Sequence, residues 1–133
     1  MDFFIPLKKI PTVTHQEKRV TVVNGKPKFY DSESITAARG MFMAYLAQHK
    51  PDDPMAGPIR LMTKWQFEGD PGWKTTKPDT DNMIKLFKDC MTKCGYWKDD
   101  AQVCSEITEK FYGPVEGIYV RVEALENDWE YEK

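Results

Sequence analysis

The stretch at residues 77–103 constrains this chain most, because it places acidic side chains at both ends of one predicted helix. Pro78 disfavours a helical conformation of the residue before it, so the chain should arrive there in an extended form. Asp79 or Thr80 can then cap a helix that starts near Asp81. We therefore expect a loop, a capped helix and a second acidic turn, in that order.

The predicted helix, residues 81–94, has one apolar face and one polar face. Apolar side chains recur at steps of three and four residues, namely Met83, Phe87, Cys90 or Met91, and Cys94. The opposite face carries Asp81, Lys85, Asp89 and Thr92. Lys93 in the last turn, followed by Gly95, fits the end of the helix. The apolar face should pack on the core, which leaves the polar face available for chemistry.

The acidic residues of this stretch form two pairs. Asp79 and Asp81 lie at the positive end of the helix dipole, where carboxylates stay ionised and can aim at one point. Asp99 and Asp100 follow a turn and directly precede a β-type run. Several oxygen ligands, with positions left open for water and phosphate, are what Mg²⁺ or Mn²⁺ needs for phosphodiester hydrolysis. Lys85, one turn after Asp81, can hold a phosphate or stabilise the charge that develops on it.

Other interpretations of the acidic segment fit less well. An aspartate at a helix start is commonly only a cap. A calcium-binding EF-hand loop is excluded because Met83 and Ile84 stand where Asp or Asn and then Gly are expected. A phosphatase-type nucleophile would follow a buried hydrophobic strand, and residues 75–78 are not such a strand. Four acids and a lysine in one segment favour an active site.

The two blocks K-P-D-T-D-N-M-I-K and G-Y-W-K-D-D-A-Q-V, with Asp89 between them, resemble the RusA family of Holliday junction resolvases. The family pattern is roughly D-x-D-N-x-x-K-x-x-x-D, then G-[FYW]-W, then D-D-x-Q-[VI], and both blocks and their spacing agree with it. The resemblance implies that Asp79, Asp81 and Asp100 carry the metal, with Asp99 beside them, and that Lys85 is the essential lysine. It gives supporting roles to Asp99, Asp89, Asn82 and Gln102.

By this resemblance the protein is a metal-dependent endonuclease that resolves four-way DNA junctions by paired nicking in recombination and repair. It would use Mg²⁺, or Mn²⁺ in its place, without a nucleotide cofactor, and would serve a host or a prophage. Two alternatives stay open. The first is a flap or branch nuclease without strict junction preference, and the second is a junction-binding protein that does not cut.

The two acidic pairs are hard to bring together within one chain. A helix over residues 81–94 is roughly 21 Å long, which puts the pairs at opposite ends. Residues 95–100 span at most about 20 Å when fully extended. We therefore hypothesise a homodimer with antiparallel helices, in which Asp79 and Asp81 of one subunit meet Asp100 of its mate. A strained site within one chain is the alternative.

Length and composition indicate one ordinary globular domain spanning residues 1–133. The chain is 41% hydrophobic and 30% charged, without an apolar stretch near the ~20 residues of a membrane span or a recognisable leader. Three cysteines argue against a disulfide framework and agree with a reducing compartment, so we predict a cytoplasmic protein. A zinc site at Cys90, Cys94 and Cys104 is conceivable, although the first two lie on the apolar helix face.

Charge is distributed unevenly along the chain. The net charge is −2, yet the first 30 residues carry six basic side chains against two acidic ones. Residues 116–133 carry two basic against six acidic ones, mostly in an acidic tail at 126–133. A local basic excess can contact DNA phosphates while the acidic end faces away. The predicted DNA-binding residues are Lys8, Lys9, Lys18, Arg19, Lys77 and Lys85.

The whole chain is predicted to be an α+β domain, with two helices packed on one mixed β-sheet. The alternation of apolar and polar residues and the turn signals give this order. A strand at 3–5 ends at Pro6, a hairpin of strands 19–23 and 28–30 turns at Asn24-Gly25, and a helix runs from Asp31 or Ser32 to about residue 49. A strand at 59–67, the helix at 81–94 and strands at 103–111 and 118–124 follow.

Overall fold

The computed structural model describes residues 1–12, 18–23, 26–31, 33–127 and 129. Seven strands and two α-helices are found in these ranges, with a short 3₁₀ helix before the sixth strand. They are β1 Asp2–Pro6, β2 Lys18–Val23, β3 Lys26–Asp31, α1 Glu33–Ala47, β4 Ile59–Glu68, β5 Gly72–Trp73, α2 Thr80–Cys94, the 3₁₀ helix Asp100–Gln102, β6 Val103–Gly113 and β7 Gly117–Ala124. The predicted α+β class with two helices and a mixed sheet is confirmed.

Five of the strands form the main sheet, in the order β1-β7-β4-β6-β5. β4 and β6 pair in parallel, and the other neighbours in this sheet pair antiparallel. A parallel pair needs a long crossover connection, and α2 supplies it between β4 and β6. β2 and β3 form a separate antiparallel hairpin. The connection therefore brings α2 back against the sheet on its way to β6, with contacts between α2 and β6.

The core lies between the sheet and the two helices. The buried side chains of α1, β4 and β7 include Ile35, Phe42, Leu61, Trp65, Ile118 and Val122. The rings of Phe42, Trp65 and Phe87 meet edge to face, with centroids 5.1–6.2 Å apart. The Trp65 indole donates a 2.8 Å hydrogen bond to Thr63 Oγ1, which satisfies the buried polar atoms. This cluster fixes α1 and α2 on the sheet.

In β6, Val103 does not share a face with Ser105, Ile107 and Phe111, although simple alternation along the strand would predict that it does. The β4 to β6 register shifts between Ile59 and Arg60, so that Val103 lies opposite the buried Ile59 and Ser105 opposite Arg60. A bulge of this kind moves the following side chains to the other face. As a result, four alternate residues of β6 turn toward the helices and the loop before α2, namely Glu106, Thr108, Lys110 and Tyr112.

Some predicted boundaries move by one or a few residues. α1 begins at Glu33, whereas Asp31 ends β3, and Ser32 lies outside the described residues. The last turn of α1 closes early, because the Gln48 and His49 amides donate to carbonyls three residues back, at 3.1 and 3.2 Å. The Asn24-Gly25 turn and most of the predicted acidic tail are also outside the described ranges. Neither of the two helices in the described part of the chain is long and apolar enough to cross a membrane.

Candidate active site

The amino-terminal end of α2 carries two of the predicted metal ligands. Asp79 occupies the N-cap position in an extended conformation, and its carbonyl accepts a 3.1 Å hydrogen bond from the Met83 amide. The Asp79 side chain makes no capping hydrogen bond, so its carboxylate is not used to close the helix. Asp81 lies two residues further on, in the first turn, and both side chains are exposed. Two carboxylates at a helix start are thus available for a ligand.

A groove between the first turns of α2 and the middle of β6 holds Asp81 and Lys85 together. It has a volume of about 590 Å³ and is lined by Thr80, Asp81, Ile84, Lys85, Lys88, Glu106 and Thr108. Asp81 and Lys85 are one helical turn apart, as the sequence predicted, and Lys85 is exposed. Lys88 Nζ lies 3.1 Å from the Glu106 carboxylate across the groove. Lys88, Glu106 and Thr108 had no signal in the sequence.

Asp79 borders a second, smaller cavity beside the groove. This cavity has a volume of about 360 Å³, and its lining includes Thr12, Lys77 and Asn82. The basic amino-terminal segment that contains Lys8 and Lys9 therefore reaches the side of the acidic pair. Lys8, Lys9 and Lys77 are exposed. Lys18 and Arg19 belong to β2, and their side chains lie outside the described part of the molecule.

Asp100 lies at the other end of α2. Its carboxylate accepts a hydrogen bond from the Thr92 hydroxyl, which in turn accepts a 2.7 Å hydrogen bond from the Trp97 indole. Thr92 is eleven residues after Asp81 on α2, which corresponds to about 16 Å along the axis. Among the described residues, no group of three or more histidine, cysteine or acidic side chains is placed to hold a metal ion. Within a single chain, Asp100 therefore lies away from the groove that contains Asp81 and Lys85.

Asp99 and Gln102 are engaged in the local turn before β6. The Asp99 carboxylate accepts a 2.8 Å hydrogen bond from the Ala101 amide, and the Gln102 side chain accepts one from the Asp99 amide at 3.1 Å. The Gln102 amide group also donates to the carbonyls of Met55 and Gly57 at 2.9 and 3.0 Å. The bonds between Asp99 and Gln102 form a capping box. This capping box fixes the turn that contains Asp100.

Asp89 joins the two helices. Its carboxylate lies 2.6 Å from Arg39 of α1 and 3.2 Å from Lys93 of α2. Partial burial by itself raises the pKa of Asp89, but the hydrogen bonds from Arg39 and Lys93 outweigh that effect, so the pKa lies below its ordinary value. Asp89 thus links α1 and α2 through ion pairs, and it is not among the residues that line the groove.

The cysteines do not form a metal centre in the described ranges. Cys90 is buried, Cys94 is half-buried and Cys104 is exposed. Burial raises the pKa of the Cys90 thiol to about 11, so the thiol is neutral at physiological pH. Cys90 is therefore a core residue, as its place on the apolar helix face predicted.

A family model and one named relative point to the same family. The family model described as "Endodeoxyribonuclease RusA" matches residues 9–123, a range that includes every carboxylate discussed above. The "Crossover junction endodeoxyribonuclease rusA" of Lactococcus phage r1t is 33% identical over 115 residues, which cover 77% of this chain and 81% of that protein. The uncharacterized protein YqaN of Bacillus subtilis (strain 168) is 26% identical over 126 residues, covering 83% of this chain and 88% of the relative.

Proposed function

Because the chain belongs to the RusA family of Holliday junction resolvases, we propose that it resolves four-way DNA junctions by paired, metal-dependent hydrolysis of phosphodiester bonds. The observation that carries this proposal is the pair of carboxylates at the start of α2. Neither is buried, Asp79 is not used to cap the helix, and Asp81 shares an open groove with Lys85. Recombination and repair in the cytoplasm are the proposed setting, and the phage relative supports a host or prophage role.

The chemistry of the donor set fits a divalent metal ion. Asp79 and Asp81 offer carboxylate oxygens, which hard cations such as Mg²⁺ and Mn²⁺ prefer. We propose Mg²⁺ as the cofactor, with Mn²⁺ as a substitute and without a nucleotide cofactor. When bound, the ion would lower the pKa of a coordinated water and offset the negative charge on the phosphate. Asp79 and Asp81 would hold it, together with Asp100.

Lys85 supplies the positive charge that the reaction needs on the protein side. It is exposed in the groove and, within the described ranges, no ion pair neutralises it. Lys88, one turn further along, is already paired with Glu106 at 3.1 Å. Lys85 can therefore place its ammonium group against the phosphate and stabilise the charge that grows there during hydrolysis.

The third carboxylate comes from a second copy of the chain. The support for this step is that Asp100 is hydrogen-bonded to Thr92, which lies about 16 Å along α2 from Asp81 in the same chain. A two-fold dimer with antiparallel α2 helices would build two such sites. Two sites are what paired nicking of a junction requires. The basic residues Lys8, Lys9 and Lys77, with Lys18 and Arg19 on β2, would hold the four-way DNA by its phosphates.

The test is cleavage of a synthetic four-way junction, a flap and a linear duplex, each with and without Mg²⁺. Wild-type protein should cut the junction only with the metal. Asp79→Asn, Asp81→Asn and Asp100→Asn should each reduce cutting by more than about 100-fold, since each removes a metal ligand. Junction binding should persist or tighten, because a negative charge that faces phosphate is lost.

Asp53→Asn is the matched control, because Asp53 is an exposed aspartate in the loop between α1 and β4. It should cut like the wild type. Undiminished cutting by Asp81→Asn would refute the metal assignment. Equal cutting of the flap would indicate a branch nuclease, and binding without cutting in Mg²⁺ or Mn²⁺ would indicate a junction-binding protein.

A further inference from the structure

Lys110 of β6 reaches out of the sheet to the loop that precedes α2. Its ammonium group donates hydrogen bonds to the carbonyl oxygens of Thr76 at 2.6 Å and Pro78 at 2.7 Å. The backbone of Lys110 is also paired with this loop, because the Lys74 amide donates to the Lys110 carbonyl at 3.4 Å. The loop is thus held at three points by one residue of the sheet.

The hydrogen bonds from Lys110 lie immediately before the start of α2. Pro78 directly precedes Asp79, and Asp79 is the N-cap residue whose carbonyl starts α2. Residues 75–77 are exposed and Pro78 is buried, so packing acts on this part of the loop mainly through Pro78. Hydrogen bonds from a charged donor are short and roughly twice as strong as neutral ones. The two bonds from Lys110 therefore fix the backbone from which the Asp79 carboxylate projects.

Lys74 supports the same loop from its other side. Its ammonium group donates to Thr76 Oγ1 at 2.9 Å and to the Tyr112 hydroxyl at 3.0 Å. It also lies 5.0 Å from the centres of the Phe67 and Tyr112 rings, which is within cation–π range. Lys74 thus holds the side chain of Thr76 while Lys110 holds its carbonyl. Only Lys110 reaches on to the residue next to Asp79.

A role for Lys110 as a plain phosphate anchor fits these contacts poorly. An ammonium group has three N–H donors, and two of them are taken by backbone carbonyls. Lys85 and Lys77, in contrast, are exposed. The charge of Lys110 is therefore directed at the carbonyl groups of the loop.

We propose that Lys110 is a positioning residue, which sets the backbone at Asp79 so that Asp79 and Asp81 face the metal ion together. This inference rests on the proposed function, because it assumes that the two carboxylates bind the metal. Residues that orient a metal ligand without touching the metal typically change metal affinity by 10–100-fold when they are replaced. Lys110→Met, which keeps the length of the side chain but loses the donors, should therefore weaken Mg²⁺ binding by about 10-fold or more.

The experiment measures the free protein first and its activity second. Mg²⁺ would be titrated into each variant without DNA and followed by the amide NMR signals of residues 79–83. Amide hydrogen exchange would be measured at Met83, which donates to the Asp79 carbonyl, and at core residues of β4. Lys110→Met should show weaker Mg²⁺ binding and faster exchange at Met83, with unchanged exchange in β4. Its junction cleavage should recover as Mg²⁺ is raised.

Two further variants make the result specific. Lys110→Arg retains donors for the two carbonyls and should bind Mg²⁺ within a few-fold of the wild type. Lys64→Met is the matched control, since Lys64 lies on the other face of the same sheet, 3.9 Å from Glu109. It should behave like the wild type. If Lys110→Met does not fold, Lys110→Gln takes its place with the same expected direction.

The outcomes separate this inference from the function on which it rests. Wild-type protein that neither binds Mg²⁺ at residues 79–83 nor cuts a junction would overturn the proposed function itself. Wild-type protein that does both, alongside a Lys110→Met variant with the same Mg²⁺ affinity and the same Met83 exchange, would overturn the positioning role alone.

Discussion

At the scale of single residues, Lys85 and Lys88 show how neighbouring lysines on one helix differ in their surroundings. Both line the groove with Asp81. The charge of Lys88 is neutralised by Glu106 of β6, whereas Lys85 is exposed and has no ion-pair partner in the described ranges. An unpaired lysine can direct its full charge at the charge that develops in a transition state. Lys85 is therefore the residue of this pair suited to the reacting phosphate.

The corresponding prediction concerns Lys85→Ala. We expect the single-turnover cleavage rate to fall by about 100-fold or more, and junction affinity to change much less, because the lysine acts on charge that develops in the transition state. Cleavage rates and binding constants would be measured at one salt concentration. Lys88→Ala is the control and should lose less rate. Equal losses of rate and affinity for Lys85→Ala would instead make Lys85 a DNA anchor.

Residues whose position depends only on local chain geometry were predictable. Asp79 and Asp81 follow from the proline before them and from helical spacing, and the structure places both at the helix start. Lys110 and Glu106 were not predictable, because their direction depends on the register shift between β4 and β6, which has no local signal. Thr92 was predicted on the polar face, but its bond to Asp100 depends on the turn after α2.

At the scale of secondary structure, elements with local sequence signals were predictable, and elements that depend on pairing with distant residues were not. The limits of α2 are coded by Pro78 and by Gly95, whose φ of 99° is left-handed and favours glycine. The predicted helix, 81–94, is therefore within one residue of the observed one. β5 was missed because a two-residue strand exists only through its pairing, here of Gly72 and Trp73 with Tyr112 and Phe111 of β6.

The contact between the two helices gives a prediction about pH. Asp89 accepts hydrogen bonds from Arg39 and Lys93, and its pKa in the folded protein is lowered from 3.8. A lowered pKa stabilises the fold above the unfolded pKa and loses that contribution as pH falls through the folded value. Asp89→Asn should therefore lower the free energy of unfolding by about 1 kcal/mol near neutral pH.

Below about pH 4 this difference should shrink and then vanish, because the wild-type carboxyl group becomes protonated as well. Chemical denaturation of both proteins at a series of pH values measures it. Cleavage at neutral pH should fall far less than in Asp81→Asn, since Asp89 does not line the groove. A stability difference that persists at low pH would mean that Asp89 acts through shape and not through charge.

At the scale of the whole molecule, the predicted carboxylates lie near opposite ends of α2 in the described chain. α2 is one continuous helix of 15 residues between β4 and β6, so its two ends lie roughly 20 Å apart. The sequence predicted this from helix length alone, and Asp100 is indeed fixed to Thr92 of the last turns. How two copies would meet depends on surface complementarity that the spacing of residues does not encode.

A mixed dimer tests the shared site directly. One chain carries Asp79→Asn with Asp81→Asn, and the other carries Asp100→Asn. If each site is built from Asp79 and Asp81 of one subunit and Asp100 of its mate, one of the two sites remains wholly wild type. The mixed dimer should then nick a single strand of a cruciform plasmid in Mg²⁺, whereas the wild-type dimer linearises it and each variant homodimer does neither. Sites built within single chains would both be damaged in the mixed dimer, so a mixed dimer that binds junctions but never nicks would exclude the shared arrangement.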